Sequence, residues 1–115
     1  MKRRQVAGHI VNINSILGHK YHGFPSLNIY GASKHAVTAI TETLRNDVRN
    51  EGTRVKITSI SPGVVRTEMV PDGDLFEDTP MLEAEDIAGA VLYALGTPAH
   101  VQVHEIIIKP VGEMA

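Results

Sequence analysis

The chain contains no cysteine and no tryptophan, and aromatic side chains supply only 4% of its residues. Without cysteine there is no disulfide scaffold, no thiolate zinc site and no cysteine nucleophile. Basic residues are also few: 11 lysines and arginines stand against 13 acids, for a formal net charge of −2. That balance, with no basic stripe, excludes the nucleic-acid binders. No apolar run approaches the roughly 18–20 residues of a membrane span; the best, residues 88–95, is interrupted by Gly89. The basic start, Met1-Lys2-Arg3-Arg4-Gln5, leads into no long apolar segment, so no signal peptide and a cytoplasmic protein are expected. What remains is 115 residues, 43% hydrophobic and 21% charged, in keeping with one globular domain.

Periodicity supplies an element order. Residues 8–14 carry β-branched Ile10, Val11 and Ile13 and read as a strand buried on both faces. Residues 15–28 hold Gly18, Gly23 and Pro25 and read as a loop. A long helical pattern covers residues 29–50, and Glu51-Gly52 stops it. A second strand is expected at residues 54–60, broken by Pro62-Gly63, and a loop at 64–80 with a Pro-Asp-Gly turn at Pro71 to Gly73. Residues 83–95 form a second helix with acids in its first turn, and residues 101–108 a third strand. The order β-α-β-α-β, with crossovers too long for hairpins, predicts parallel strands in a doubly wound α/β sheet.

In such sheets ligands bind beyond the carboxyl ends of the strands. Ser15 follows the first strand there, Tyr30 and Lys34 lie in the first turns of the helix entered from that edge, and Pro62-Gly63 leaves the second strand there. Val37, Ile40, Leu44 and Val48 share one apolar stripe of the helix, and Tyr30 and Lys34 point near its centre. Two readings fit Lys34: its stem covers the rim of the core, or it lines a site with Tyr30. The second has a chemical logic. A free phenol ionises near pH ~10 and is a poor base at neutrality, whereas an ammonium fixed beside a phenol favours the phenolate. A tyrosine so placed exchanges a proton with an alcohol or carbonyl oxygen, and the Ser15 hydroxyl is suited to hold that oxygen.

These motifs resemble one family. Ile10-Val11-Asn12-Ile13-Asn14-Ser15, then Tyr30-Gly31-Ala32-Ser33-Lys34, then Ser61-Pro62-Gly63-Val64-Val65-Arg66-Thr67, are similar to the short-chain dehydrogenase/reductases. The wording around residues 12–19 and 98–110 is most similar to an insect farnesol-dehydrogenase-like group and to vertebrate reductases acting on steroids. The resemblance implies a Rossmann-type sheet and hydride transfer between NADP, or alternatively NAD, and a small-molecule alcohol or ketone. Tyr30 would be the general acid/base, Lys34 would bind the nicotinamide ribose, and Ser15 would hold the substrate oxygen. Pro62, Gly63, the backbone around Val65 and the Thr67 hydroxyl would meet the nicotinamide carboxamide, with Phe24 and residues 70–82 bordering the substrate. A homodimer or homotetramer is implied for the full-length protein.

The departures from the family are informative. No glycine-rich pyrophosphate turn is present, because Gly8, Gly18, Gly23 and Gly31 lack its spacing, and no acid follows to grip the adenosine ribose. Residues 1–115 are therefore expected to form a partial domain, the carboxyl-terminal half of a family member: about three strands and two main helices. Such a half would expose the edge of its first strand and leave one sheet face without helices. The alternative function is a non-catalytic fragment that keeps only dimer-forming surfaces. Ala32, Ala36, Ala39 and Thr43 form a small-residue stripe on the helix, either a solvated face or a close-packing face across a two-fold axis. His19 and His22 have the spacing of a weak metal pair but no third ligand, and no metal site is expected.

Overall fold

The computed structural model of the chain describes residues 7–19, 28–66 and 79–113. Strands β1 (His9–Ile13), β2 (Lys56–Pro62) and β3 (Glu105–Ile108) form a parallel sheet in the order β1-β2-β3. Helix α1 (Asn28–Asn50) joins β1 to β2, and α2 (Ala84–Leu95) joins β2 to β3. Within the expected first loop, Ile16–Gly18 forms a 3-10 turn.

Helix α1 ends where Gly52 adopts φ 74° and the Gly52 and Thr53 amides bond back to the carbonyls of Arg49 and Val48. Only glycine enters that region without strain, so this residue sets the stop. Helix α2 starts at Glu83, whose amide donates to Asp86 Oδ2 at 2.8 Å. Among the described residues, no helix is long and apolar enough to cross a membrane.

Register assigns the faces. Asn12 pairs with Ser59, and Ser59 with Glu105. Together with Ser61 these residues face α1, to which Asn12 Nδ2 donates through Thr41 Oγ1 at 2.9 Å. Lys56, Thr58 and Ile60 alternate to the other face, and Lys56 Nζ donates to Thr97 Oγ1 (2.8 Å) just beyond the end of α2. Among the described residues each face thus carries one helix, contrary to the expectation of a bare face. Both connections step the same way across the sheet while their helices lie on opposite sides, so the two crossovers have opposite hands. One of them departs from the strong right-handed preference of such units.

Other details also differ from expectation. The second strand runs two residues later than residues 54–60, because Pro62 pairs with Ile108 and loses only its own missing N–H, while Gly63 N donates to Ile108 O at 2.7 Å. The third strand is shorter than residues 101–108. Before Glu105 side chains take over the ladder: Gln102 Oε1 accepts from Ile57 N (2.8 Å) and Thr58 Oγ1 donates to Val103 O (2.7 Å). Ile10 and Val11 are half-buried rather than enclosed, and Ile13 is exposed, since β1 is the edge of the described sheet.

The inner face of α1 is the largest correction. Ile40, placed on the apolar stripe, is 60% exposed, whereas Thr41 and Arg45 are buried. The sheet surface beneath mixes Ile10 and Ile57 with Asn12, Ser59 and Ser61, so threonine and arginine of the helix meet its polar groups by hydrogen bonding. Arg45 donates to the carbonyls of His104 (3.0 Å) and Ile57 (3.3 Å) and also to Glu42, tying the end of α1 to β2 and to the residue that enters β3.

Candidate functional site

The expected serine caps the 3-10 turn at the carboxyl end of β1. Ser15 is buried, and its Oγ accepts from Leu17 N at 3.1 Å. That bond uses a lone pair and leaves the hydroxyl hydrogen to be given elsewhere. Gly18 presses the turn onto α1. A Cβ at Gly18 would lie 2.8 Å from the carbonyl oxygen of Lys34 and 2.7 Å from the Asn14 amide. Thr38 Oγ1 donates to Gly18 O (3.1 Å) and receives Asn14 Nδ2 (2.8 Å). The serine turn is therefore docked at the level of Lys34 itself, and only a residue without a side chain permits that approach.

Lys34 and Tyr30 stand one turn apart on α1, both half-buried, with Lys34 Nζ 5.4 Å from the centre of the Tyr30 ring. This is the range of cation–π attraction, which holds the ammonium beside the phenol. The structure brings Tyr30 and Lys34 into contact and docks the Ser15 turn against their helix.

Pro62 ends β2 and Gly63 follows it at the same edge. A Cβ on Gly63 would fall 2.5 Å from Glu113 Oε2, because the Glu113 carboxylate is folded against the turn and accepts from Val64 N at 3.0 Å. Beyond it, Leu82 N donates to Val64 O and Arg66 N to Leu82 O, both at 2.8 Å, forming a one-residue parallel bridge. A bridge of this pattern turns the N–H and C=O of Val65 away from Leu82, and neither takes a hydrogen bond among the described residues. A donor and an acceptor side by side match a carboxamide. Thr67, Phe24 and residues 70–78 lie outside the described residues.

Sequence reasoning missed Glu113, because a carboxylate far along the chain gives no local signal of the turn it braces. It also missed the role of His19. That side chain meets Ser61 and Glu105, and no group of three or more His, Asp or Glu able to hold a metal occurs among the described residues. His22 lies outside them. A cavity of about 520 Å3 opens at the opposite rim, among Arg49, Arg54, Lys56 and His100, away from every residue expected to act. Lys56 there is already saturated by Thr97, Pro98 and Val101.

Comparison with known proteins accords with this geometry. Residues 1–77 match the short chain dehydrogenase family. The chain is 66% identical over 113 residues to a farnesol dehydrogenase of Aedes aegypti, covering 98% of this chain and 46% of that protein. It is 42% identical over 124 residues to human dehydrogenase/reductase SDR family member 11, covering 99% and 48%. Among solved structures, the closed form of serine dehydrogenase complexed with NADP+ superposes with a TM-score of 0.81 at 33% identity, over 98% of this chain and 48% of that one. The chain spans about half the length of the relatives it matches. With its parallel sheet, its Tyr30–Lys34 pair and its Pro62-Gly63 turn in place, the chain belongs to the short-chain dehydrogenase family.

Proposed function

We propose that this chain is the carboxyl-terminal half of an NAD(P)-dependent oxidoreductase that interconverts an alcohol and a carbonyl compound. The observation that carries the reading is the Lys34 ammonium over the Tyr30 ring, on a helix to which the Ser15 turn is docked at the Lys34 carbonyl. When bound, the nicotinamide supplies a hydride acceptor or donor. In alcohol oxidation Tyr30 Oη takes the hydroxyl proton as general base, and in reduction it returns one. Lys34 attracts the negative charge that develops on Tyr30 and has the donors to hold ribose hydroxyls. Ser15 spends its free hydroxyl hydrogen on the substrate oxygen and fixes its position. The free N–H and C=O of Val65 would hold the carboxamide of a bound nucleotide, a role the family resemblance extends to Thr67 and the Pro62-Gly63 turn.

NADP is the proposed cofactor, with NAD as the alternative; a neighbour complexed with NADP+ supports the choice. The substrate class is an apolar alcohol or ketone, isoprenoid like farnesol or steroid-like, supported by the name of the mosquito relative. The whole protein is proposed to be a cytoplasmic homodimer or homotetramer, with the exposed stripe Ala32, Ala36, Ala39 and Thr43 of α1 at an interface.

The test fuses this chain behind the first half of the mosquito relative and assays NADPH and NADH against isoprenoid and steroid alcohols and ketones. Turnover is expected, and Tyr30→Phe lowers kcat by roughly 10²–10⁴-fold. A folded fusion with no turnover on any of these substrates would reject the reading. It would favour the second one, a non-catalytic fragment that only associates. That reading is motivated by the exposed Ile29, Ile40 and Ile13 and by the edge position of β1.

A further inference from the structure

Three side chains from distant parts of the sequence meet on the α1 face and have no part in the chemistry above. Ser61, fully enclosed, donates its hydroxyl hydrogen to Glu105 Oε1 at 2.7 Å. His19 Nε2 lies 3.0 Å from Ser61 Oγ and also contacts Glu105 Oε1. A carboxylate only accepts, and Ser61 has already given its hydrogen, so Nε2 carries the proton and donates to both. The other oxygen, Glu105 Oε2, is buried without a hydrogen bond among the described residues. Compensation of that carboxylate therefore falls on Ser61 and His19 through Oε1.

Serine, histidine and acid together suggest a nucleophilic triad, but the connectivity is wrong for one. Serine and carboxylate share a single ring nitrogen instead of occupying opposite ones, and Ser61 gives its hydrogen to the acid, not to the imidazole. With Ser61 also shielded from any substrate, the cluster is a brace.

We propose that His19 is a positioning residue for Ser15, acting through Ser61 and Glu105. The inference rests on the reading that Ser15 holds the substrate oxygen. The turn is closed within itself by Gly18 N to Ser15 O (2.9 Å) and His19 N to Ile16 O (3.0 Å). On one side Gly18 bears on α1 at Lys34 and Thr38. On the other, the His19 ring is tied to β2 and β3. Held at both sides, the turn cannot roll over the sheet edge, and Ser15 keeps its place relative to the helix of Tyr30 and Lys34. Remove the imidazole, and among the described residues the side-chain tie to β2 and β3 is lost, leaving the Gly18 contact and the Asn14 bonds to Thr38 and Ile60 to oppose that roll.

The test uses the fusion protein described above, with hydrogen exchange and steady-state kinetics on the same preparations. In His19→Ala the amides of Leu17, Gly18 and His19 are expected to exchange about tenfold faster, while those of Val91 and Tyr93 in α2 keep their rates. With this variant kcat falls about tenfold or more while KM for the nucleotide stays within about twofold. His19→Gln, whose side-chain N–H reaches the same carboxylate, restores kcat to within about threefold of wild type. If His19→Ala does not fold, Ser61→Ala reads the same amides. Unchanged exchange in the turn, or equal acceleration throughout α2, overturns the proposal. A wild-type fusion without turnover refutes the functional reading alone, and the exchange rates at Leu17 and Gly18 still decide whether His19 holds the turn.

Discussion

On the α1 side of the sheet, Asn12, Asn14 and Ser61 meet Thr41, Thr38 and His19 through directed side-chain hydrogen bonds, and buried Arg45 reaches backbone carbonyls. On the α2 side, Ile60 and Ala94 are fully enclosed, and the side-chain bonds gather beyond the end of the helix, where Lys56 meets Thr97. Apolar burial holds a helix firmly but is non-directional. Hydrogen bonds between fixed groups also set rotation and height along the sheet. The helix that carries Tyr30 and Lys34 is held to the sheet by directed bonds along its length, at Thr38, Thr41 and Arg45. The difference shows where positional accuracy is concentrated in this chain.

Substitutions can break each side separately, with urea unfolding of the fusion protein as the measure. The largest effect is expected on the apolar side: Ile60→Ala costs about 4 kcal/mol through lost burial and the cavity left behind, while Tyr30 function in the surviving folded fraction is retained. Next, Arg45→Ala costs about 3 kcal/mol by leaving buried carbonyls short of a charged donor. Glu42→Ala, which removes only the exposed partner of Arg45 (62% exposed), changes stability by less than about 0.5 kcal/mol. Equal costs for Arg45→Ala and Glu42→Ala would mean that the ion pair, and not the carbonyl contacts, holds the helix. Gly18→Ala should cost about 2 kcal/mol, because the new methyl meets the Lys34 carbonyl and the Asn14 amide, and both must shift. Its loss of kcat should exceed that of Ile60→Ala despite the smaller loss of stability, a reversal that sharpens the contrast between the faces.

The smallest effect is on pH dependence. Burial, with the Lys56 charge adding to it, holds His9 below its ordinary value of 6.5, so the folded protein takes up that proton less readily than the unfolded chain. Its contribution to stability is complete above pH 6.5 and is lost as the pH falls below 6.5 and through the lowered folded value. Comparing urea midpoints of wild type and His9→Gln on both sides of pH 6.5 should show a steeper acid-side decline for wild type. Parallel curves would remove His9 as the cause.

Much of the architecture was legible in local pattern. The three strands and two helices appear in the expected order because β-branched runs, Gly52 and Pro62-Gly63 act within a few residues of themselves. Ser15, Tyr30, Lys34, Gly63 and Val65 fall on one sheet edge for the same reason. The inner face of α1 was misjudged because periodicity counts apolar residues, and here threonine and arginine meet polar side chains and carbonyls of the sheet. The early part of the third strand was overread because Gln102 and Thr58 side chains stand in for ladder bonds. His19 and Glu113 were overlooked as braces because their partners are remote in sequence, and no composition or spacing marks such pairs. The opposite hands of the two crossovers are likewise a property of the assembled sheet, with no local sequence signature.

The bridge between Val65 and Leu82 joins the two ends of the excursion that separates them. Chain leaving β2 returns to the foot of α2 at the same spot, clasped there by paired amides and by the Arg66–Glu83 contact. Doubling the length of a flexible loop costs only about 0.6 kcal/mol once its ends are fixed. A change in the length of the connection closed by this clasp therefore costs the sheet and α1 little.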